Sequence, residues 1–229
     1  MAAYKTTCLA QIEKEYGAKT APECGWSLAK NFPGGVSAEE KHTLEHCSVF
    51  DRCHTMRIRI TGKDVLAKLS GVTGFEVVPE LAVIRGEFSG DGFTLLSMAE
   101  DDVLLLAGDR STVETLTKEL ADLEFTDLSE VLAQLDIAGA ELESVLGDFD
   151  IQPEEIPDEN SIVRRAVAEV NSIMVRNTAL PVPCVTLIFT SEYAEGMWEE
   201  FVETFPVKPA GFAAWNTLVK KAEQGSDTE

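Results

Sequence analysis

No stretch of this sequence approaches the roughly 18 consecutive apolar residues that a membrane-spanning helix needs. The N-terminal "MAAYKTTCLAQIEKEYG" is broken by charge every few positions, so it does not read as a secretory signal either. Cysteines number five, an odd count spread over positions 8, 24, 47, 53 and 184, which excludes the paired framework of a small secreted domain. Together these absences predict a cytoplasmic protein with reduced thiols. There is no P-loop, no G-x-S-x-G elbow and no Gly-rich dinucleotide fingerprint. Basic residues are scarce as well, at 19 Lys and Arg against 40 Asp and Glu, and between Lys118 and Arg164 there are none.

What is present is a globular composition, 229 residues of which 45% are apolar and 26% charged, enough for one compound domain or two small ones. The net charge of −21 is concentrated in the middle of the chain. Residues 1–60 carry eight basic against seven acidic side chains, and residues 161–229 carry six against nine. The window without basic residues holds Glu130, Asp136, Glu141, Glu143, Asp148, Asp150, Glu154 and Glu155. A field of one sign this large repels nucleic acid and attracts basic surfaces. These eight residues are therefore the expected docking face for a basic protein partner.

Apolar spacing predicts an α+β fold, a small mixed or antiparallel sheet with packed helices, an acidic helical segment and a small C-terminal α/β region. Residues 1–54 read as a helical N-terminal region, with Ser37 and Glu40 as the capping box of a helix over 38–50. Residues 55–124 read as a β-α-β-β-β-α domain. Residues 125–159 read as an acidic helical hairpin and linker, because Leu128, Val131, Leu132 and Leu135 fit one helical face. Residues 160–222 are expected to be α/β, beginning with an amphipathic helix over Ser161–Arg176, and 223–229 to be a disordered tail.

All three histidines lie in "KHTLEHCSVFDRCH", residues 41–54. On a helix, His42 and His46 stand four residues apart on one face, as a shared metal requires, with Glu45 between them. Cys53 and His54, at the mouth of the following strand, complete a candidate ligand set.

Two family resemblances follow from quoted residues. The segment "LAVIRGEF", with "DDVLLLAGDRSTVETLTKEL" after it, resembles the RCK C-terminal (TrkA-C) ligand-binding domain. That resemblance implies dimerisation and small-ligand, nucleotide-type sensing. The string "HTLEH" resembles the inverted zincin motif of S-ribosylhomocysteine lyases and pitrilysin-type peptidases. It implies zinc on His42 and His46, with Glu45 as catalytic base. The expectation is a non-catalytic cytoplasmic binding protein of the inhibitor, immunity or nucleic-acid-mimic type, without a cofactor. The alternatives are a zinc-dependent hydrolase or lyase, and a small-ligand regulator that forms a homodimer.

Overall fold

The computed structural model describes residues 4–226 apart from 78, 89, 109, 205 and 206. The chain begins with helix α1 (Ala10–Glu15), the strands β1 (Lys19–Glu23) and β2 (Trp26–Asn31), helix α2 (Val36–Glu45) and strand β3 (Cys47–Asp51). It continues through β4 (Met56–Thr61), α3 (Val65–Thr73), β5 (Val83–Phe88), β6 (Asp91–Ala99), β7 (Asp102–Ala107), α4 (Arg110–Glu119) and β8 (Glu124–Asp127). Then come β9 (Leu132–Ala138), α5 (Leu142–Gly147), β10 (Ile162–Val167), β11 (Val170–Arg176), β12 (Cys184–Thr190), α6 (Ala194–Thr204), β13 (Val207–Pro209) and α7 (Phe212–Ser226). The fold is α+β, as the apolar spacing predicts.

Two sheets carry the architecture. The five-stranded sheet, in the order β5-β6-β7-β4-β8, is antiparallel throughout. In β7, Val103 and Leu105 pack with α3 and α4 through Leu66, Leu69, Val113 and Leu116. Leu104 and Leu106 point the other way, onto Ile162, Val175 and Ile188 of the second sheet. This two-sided burial explains why "DVLLLA" is a continuous apolar run rather than an alternating one. The six-stranded sheet runs β10-β11-β12-β9-β3-β13, antiparallel except for the β13–β3 pair. One face of β9 and β12, built from Ala133, Leu135, Ile137, Val185, Leu187 and Phe189, is covered by α1, α5 and α6 through Leu9, Leu146, Trp198 and Phe201. Fully burying each such large apolar side chain stabilises the fold by about 1.5–3 kcal/mol. Among the described residues no helix is long and apolar enough to cross a membrane.

Several local expectations are corrected. In the acidic window, "LAQLDIA" is β9, a central strand, and only α5 is helical. Leu128, Val131, Leu132 and Leu135 suit a helix face, but Leu135 and Ile137 also alternate as a strand, and the neighbouring strands on both sides decide the outcome. Over Ser161–Arg176 the chain forms the β10–β11 hairpin instead of a helix. Its two-residue turn is Ala168–Glu169, both at positive φ (47° and 63°), in place of the Asn-Gly or Asp-Gly that signals such a turn. The N-terminal region contains the β1–β2 hairpin in addition to its helices. Helix α2 starts after Gly35, one residue before Ser37 would cap it, and ends at His46, so Cys47–Asp51 is a buried strand. Residues 223–226 belong to α7, and 227–229 lie outside the described residues.

Candidate ligand cavity

Where the two sheets meet, the second face of the six-stranded sheet turns polar. Alternation along β9 puts Gln134 and Asp136 on this face, and Thr186 of β12 is the register partner of Asp136. Arg52 enters from the turn after β3, and Arg176 and Asn177 from the end of β11. Arg85 and Thr94 come from the five-stranded sheet, and α7 closes one side with Trp215 and Val219. These groups line a cavity of about 390 Å³. Asp136 is the only carboxylate lining it among the described residues, against three guanidinium groups, in a chain with a net charge of −21.

Asp136 is fully buried and densely bonded. Thr186 Oγ1 donates to its Oδ1 at 2.5 Å, Asn177 Nδ2 approaches its Oδ2 at 3.4 Å, and Arg52 Nε stands 3.6 Å from the same oxygen. Burial pushes the carboxyl above its ordinary range, while the Arg52 charge and the Thr186 and Asn177 hydrogen bonds oppose the rise. The Arg52 guanidinium also lies over the Trp215 ring, 4.4 Å from its centre. Arg85 donates to the carbonyls of Glu159, at 2.5 Å, and Arg176, tying the sheets together at the cavity rim. Three buried polar atoms of the lining, Arg52 Nε, Arg176 Nη1 and Gln134 Oε1, have no hydrogen-bond partner among the described residues. Buried polar groups are ordinarily satisfied, so this concentration at one cavity fits a surface that completes its bonds with a ligand.

Arg52, Arg85, Arg176, Asn177 and Thr186 were not legible as site residues in the sequence. The one available signal was a charged residue centred in an apolar strand, Asp136 in "LAQLDIAGA". The residues singled out by sequence lie elsewhere. Glu130, Glu141, Glu143, Asp148, Asp150, Glu154 and Glu155 are exposed, Glu155 paired with Arg165 at 2.9 Å, whereas Asp136 leaves that surface for the cavity.

The rings of His42 and His46 are 4.9 Å apart, but His42 Nε2 lies 3.1 Å from the carbonyl of Cys47 and His46 Nδ1 lies 3.2 Å from Glu141. Glu45 pairs with Lys41 at 3.9 Å. Cys53 contacts Cys8, with 3.6 Å between sulfurs. Burial, with Arg52 and Arg57 nearby, lowers His54 to about 3, so it is neutral near pH 7. Among the described residues no three His, Cys, Asp or Glu side chains are grouped to hold a metal ion.

Comparison with known proteins corrects the functional expectations. A family model, the GCVT N-terminal domain, matches residues 9–225. The mitochondrial aminomethyltransferase of Dictyostelium discoideum is 28% identical over 242 residues, covering 93% of this chain and 59% of the relative. The chain thus spans about three fifths of that relative's length. Among solved structures, the glycine cleavage system aminomethyltransferase T from Bartonella henselae superposes with a TM-score of 0.85 at 20% identity, covering 95% of this chain and 62% of that one. A chain of the heterotetrameric sarcosine oxidase from Corynebacterium sp. U-96 gives a TM-score of 0.58 at 15% identity, covering 86% of this chain and 92% of that one. The family match replaces both the TrkA-C and the zincin resemblances. It likewise overturns the non-catalytic inhibitor of a basic partner, the zinc hydrolase and the nucleotide sensor.

Proposed function

Because the chain belongs to the GCVT N-terminal domain family, we propose that it serves aminomethyl transfer of the glycine cleavage type. The cavity between the sheets would take tetrahydrofolate, the substrate of aminomethyltransferases. The observation that carries this reading is that Arg176 Nη1 and Gln134 Oε1, both buried, lack hydrogen-bond partners among the described residues at one cavity with three guanidinium groups and a single carboxylate. Guanidinium groups bind carboxylates through paired, charge-assisted hydrogen bonds, so Arg176 suits the acidic end of a folate. Gln134 offers an amide to a heteroaromatic ring edge.

In the transfer itself, the acceptor amine's electron pair forms a bond to the aminomethyl carbon, the carrier departs with the electron pair of the bond that breaks, and the amine loses a proton. Asp136 is the group placed to meet the positive charge and take the proton. Its raised pKa makes it a stronger base than an exposed aspartate, and the Arg52 charge opposes the rise. The carrier would be a partner within the glycine cleavage system.

Calorimetric titration of the purified chain with tetrahydrofolate under anaerobic conditions tests the proposal. Binding is expected, weakened at least tenfold in Arg176→Gln and unaffected in the surface variant Glu143→Gln. Absence of binding, or equal affinity in Arg176→Gln, would overturn it.

A further inference from the structure

A second pocket of about 320 Å³ is lined by Cys8, Trp26, Cys53, Ser129, Glu130 and Ser191, among others. Cys8 is exposed, in the segment that leads into α1, and its Sγ lies 3.6 Å from that of Cys53. Cys53 is buried in the turn between β3 and β4. Its sulfur is fixed by the backbone of Gln134, whose N–H donates to it at 3.4 Å and whose carbonyl lies at the same distance. A disulfide bond is about 2.05 Å long, so the two sulfurs are in van der Waals contact as a reduced pair, and a small movement of the Cys8 segment joins them.

We propose that Cys8 and Cys53 form a peroxide-reactive dithiol, with Cys8 as the attacking and Cys53 as the resolving thiol. The geometry assigns the order, since only Cys8 is exposed while Cys53 waits behind it. The electrostatics agree. Hydrogen bonding with Cys53 lowers the Cys8 thiol, against burial and the Asp51 charge, with Arg57 adding to the lowering. The same hydrogen bond, with burial, raises Cys53.

In the first step the Cys8 thiolate attacks one oxygen of hydrogen peroxide. The O–O bond breaks, hydroxide leaves and is protonated to water, and Cys8 becomes a sulfenic acid. The Cys53 sulfur then attacks the Cys8 sulfur, the S–O bond breaks, and the departing hydroxide takes the Cys53 proton to leave as water. The two sulfurs together lose two electrons and the peroxide gains two. The balance is two thiols and one peroxide giving one disulfide and two waters. Cys24 is exposed without a partner sulfur, and Cys47 and Cys184 are buried, so these three remain thiols.

The test is oxidation of the full chain with one equivalent of hydrogen peroxide, read by peptide mapping and by thermal unfolding. The expected product is a monomer with an intramolecular Cys8–Cys53 disulfide that melts roughly 5–10 °C higher, because the bond closes a long loop. Cys8→Ser should slow thiol loss from the pair at least tenfold, and Cys24→Ser should leave it unchanged. Cys53→Ala should leave Cys8 as a sulfenic acid or in a dimer linked through Cys8, and a second equivalent of peroxide should carry the sulfenic acid to sulfinic acid. If that variant does not fold, Cys8→Ser decides, since it alters only an exposed side chain. Oxidation falling first on Cys24, or loss of the Cys53 thiol at the unsubstituted rate when Cys8 is replaced, would overturn the proposal.

Discussion

Arg52 holds two partners at once: its Nε lies 3.6 Å from Asp136 Oδ2, and its guanidinium stacks 4.4 Å from the centre of the Trp215 ring. The pair couples the turn after β3, the central strand β9 and helix α7 across the cavity. Removing the carboxylate leaves a buried guanidinium that has lost its nearest counter-charge, with the indole and the more distant Asp51 charge remaining. Asp136→Ala is expected to cost about 2–4 kcal/mol, at the lower part of the range for a broken buried pair because Arg52 keeps some solvent contact. Asp136→Asn, which fills the same space and keeps one oxygen to accept from Thr186, should cost less. Denaturant titration of both variants checks the order.

Stability should have a defined pH profile. Burial, reinforced by Asp51 and Cys8, raises Glu13 from 4.5 to about 9, so the folded state keeps a proton that the unfolded chain releases. That contribution is complete below pH 4.5 and is lost as the pH rises toward 9. His54 behaves oppositely. Its pKa falls from 6.5 to about 3, so its contribution is present above pH 6.5 and is lost as the pH falls toward 3. Between 4.5 and 6.5 the two slopes cancel. Melting temperatures measured from pH 4 to 9 should show a plateau there and decline on the alkaline side. Glu13→Gln should remove much of that decline, a gain of about 2–4 kcal/mol at pH 8, with little change at pH 4.

The β10–β11 turn can be improved. Ala168 and Glu169 both hold left-handed backbone that Asn and Gly adopt at lower cost. Ala168→Asn combined with Glu169→Gly should stabilise the protein by about 0.5–2 kcal/mol, read as a rise in melting temperature.

Gly139 should tolerate no side chain. A Cβ placed there would stand 1.9 Å from the carbonyl oxygen of His46, and φ is +151°. Because the obstacle is backbone, Gly139→Ala is expected to lose more than about 3 kcal/mol or to be recovered only as insoluble protein. Soluble yield and the melting curve decide between these.

Much of the fold was legible where a pattern had one interpretation. Alternation in "TMRIRIT", the buried run "DVLLLA" and the α4 stripe of Val113 and Leu116 all emerge as the elements they suggest. Reading failed where the spacing served two periods. "LAQLDIA" and the stretch over 161–176 carry apolar residues that satisfy a helix and a strand alike, and the β partners that settle the matter lie up to 90 residues away. The cavity was illegible for a related reason. Arg52, Arg85 and Arg176 come from three distant segments, each looking locally like an ordinary surface charge, and Asp136 was grouped with the acidic face around it. In the dense histidine cluster, His42 and His46 are engaged by their nearest neighbours.

Glu39 sits buried beneath the end of β2, where one carboxylate oxygen accepts the N–H of Phe32 at 2.5 Å and the other the N–H of Gly211 at 3.0 Å. Strand β13 meanwhile lies beside β3. On a ribosome, then, an early segment and a late one must find each other. The hairpin and helix made first have their carboxylate half-bonded and a sheet edge open until residue 211 has left the exit tunnel. During synthesis that edge is the place where a chaperone, or a neighbouring nascent chain, meets this protein.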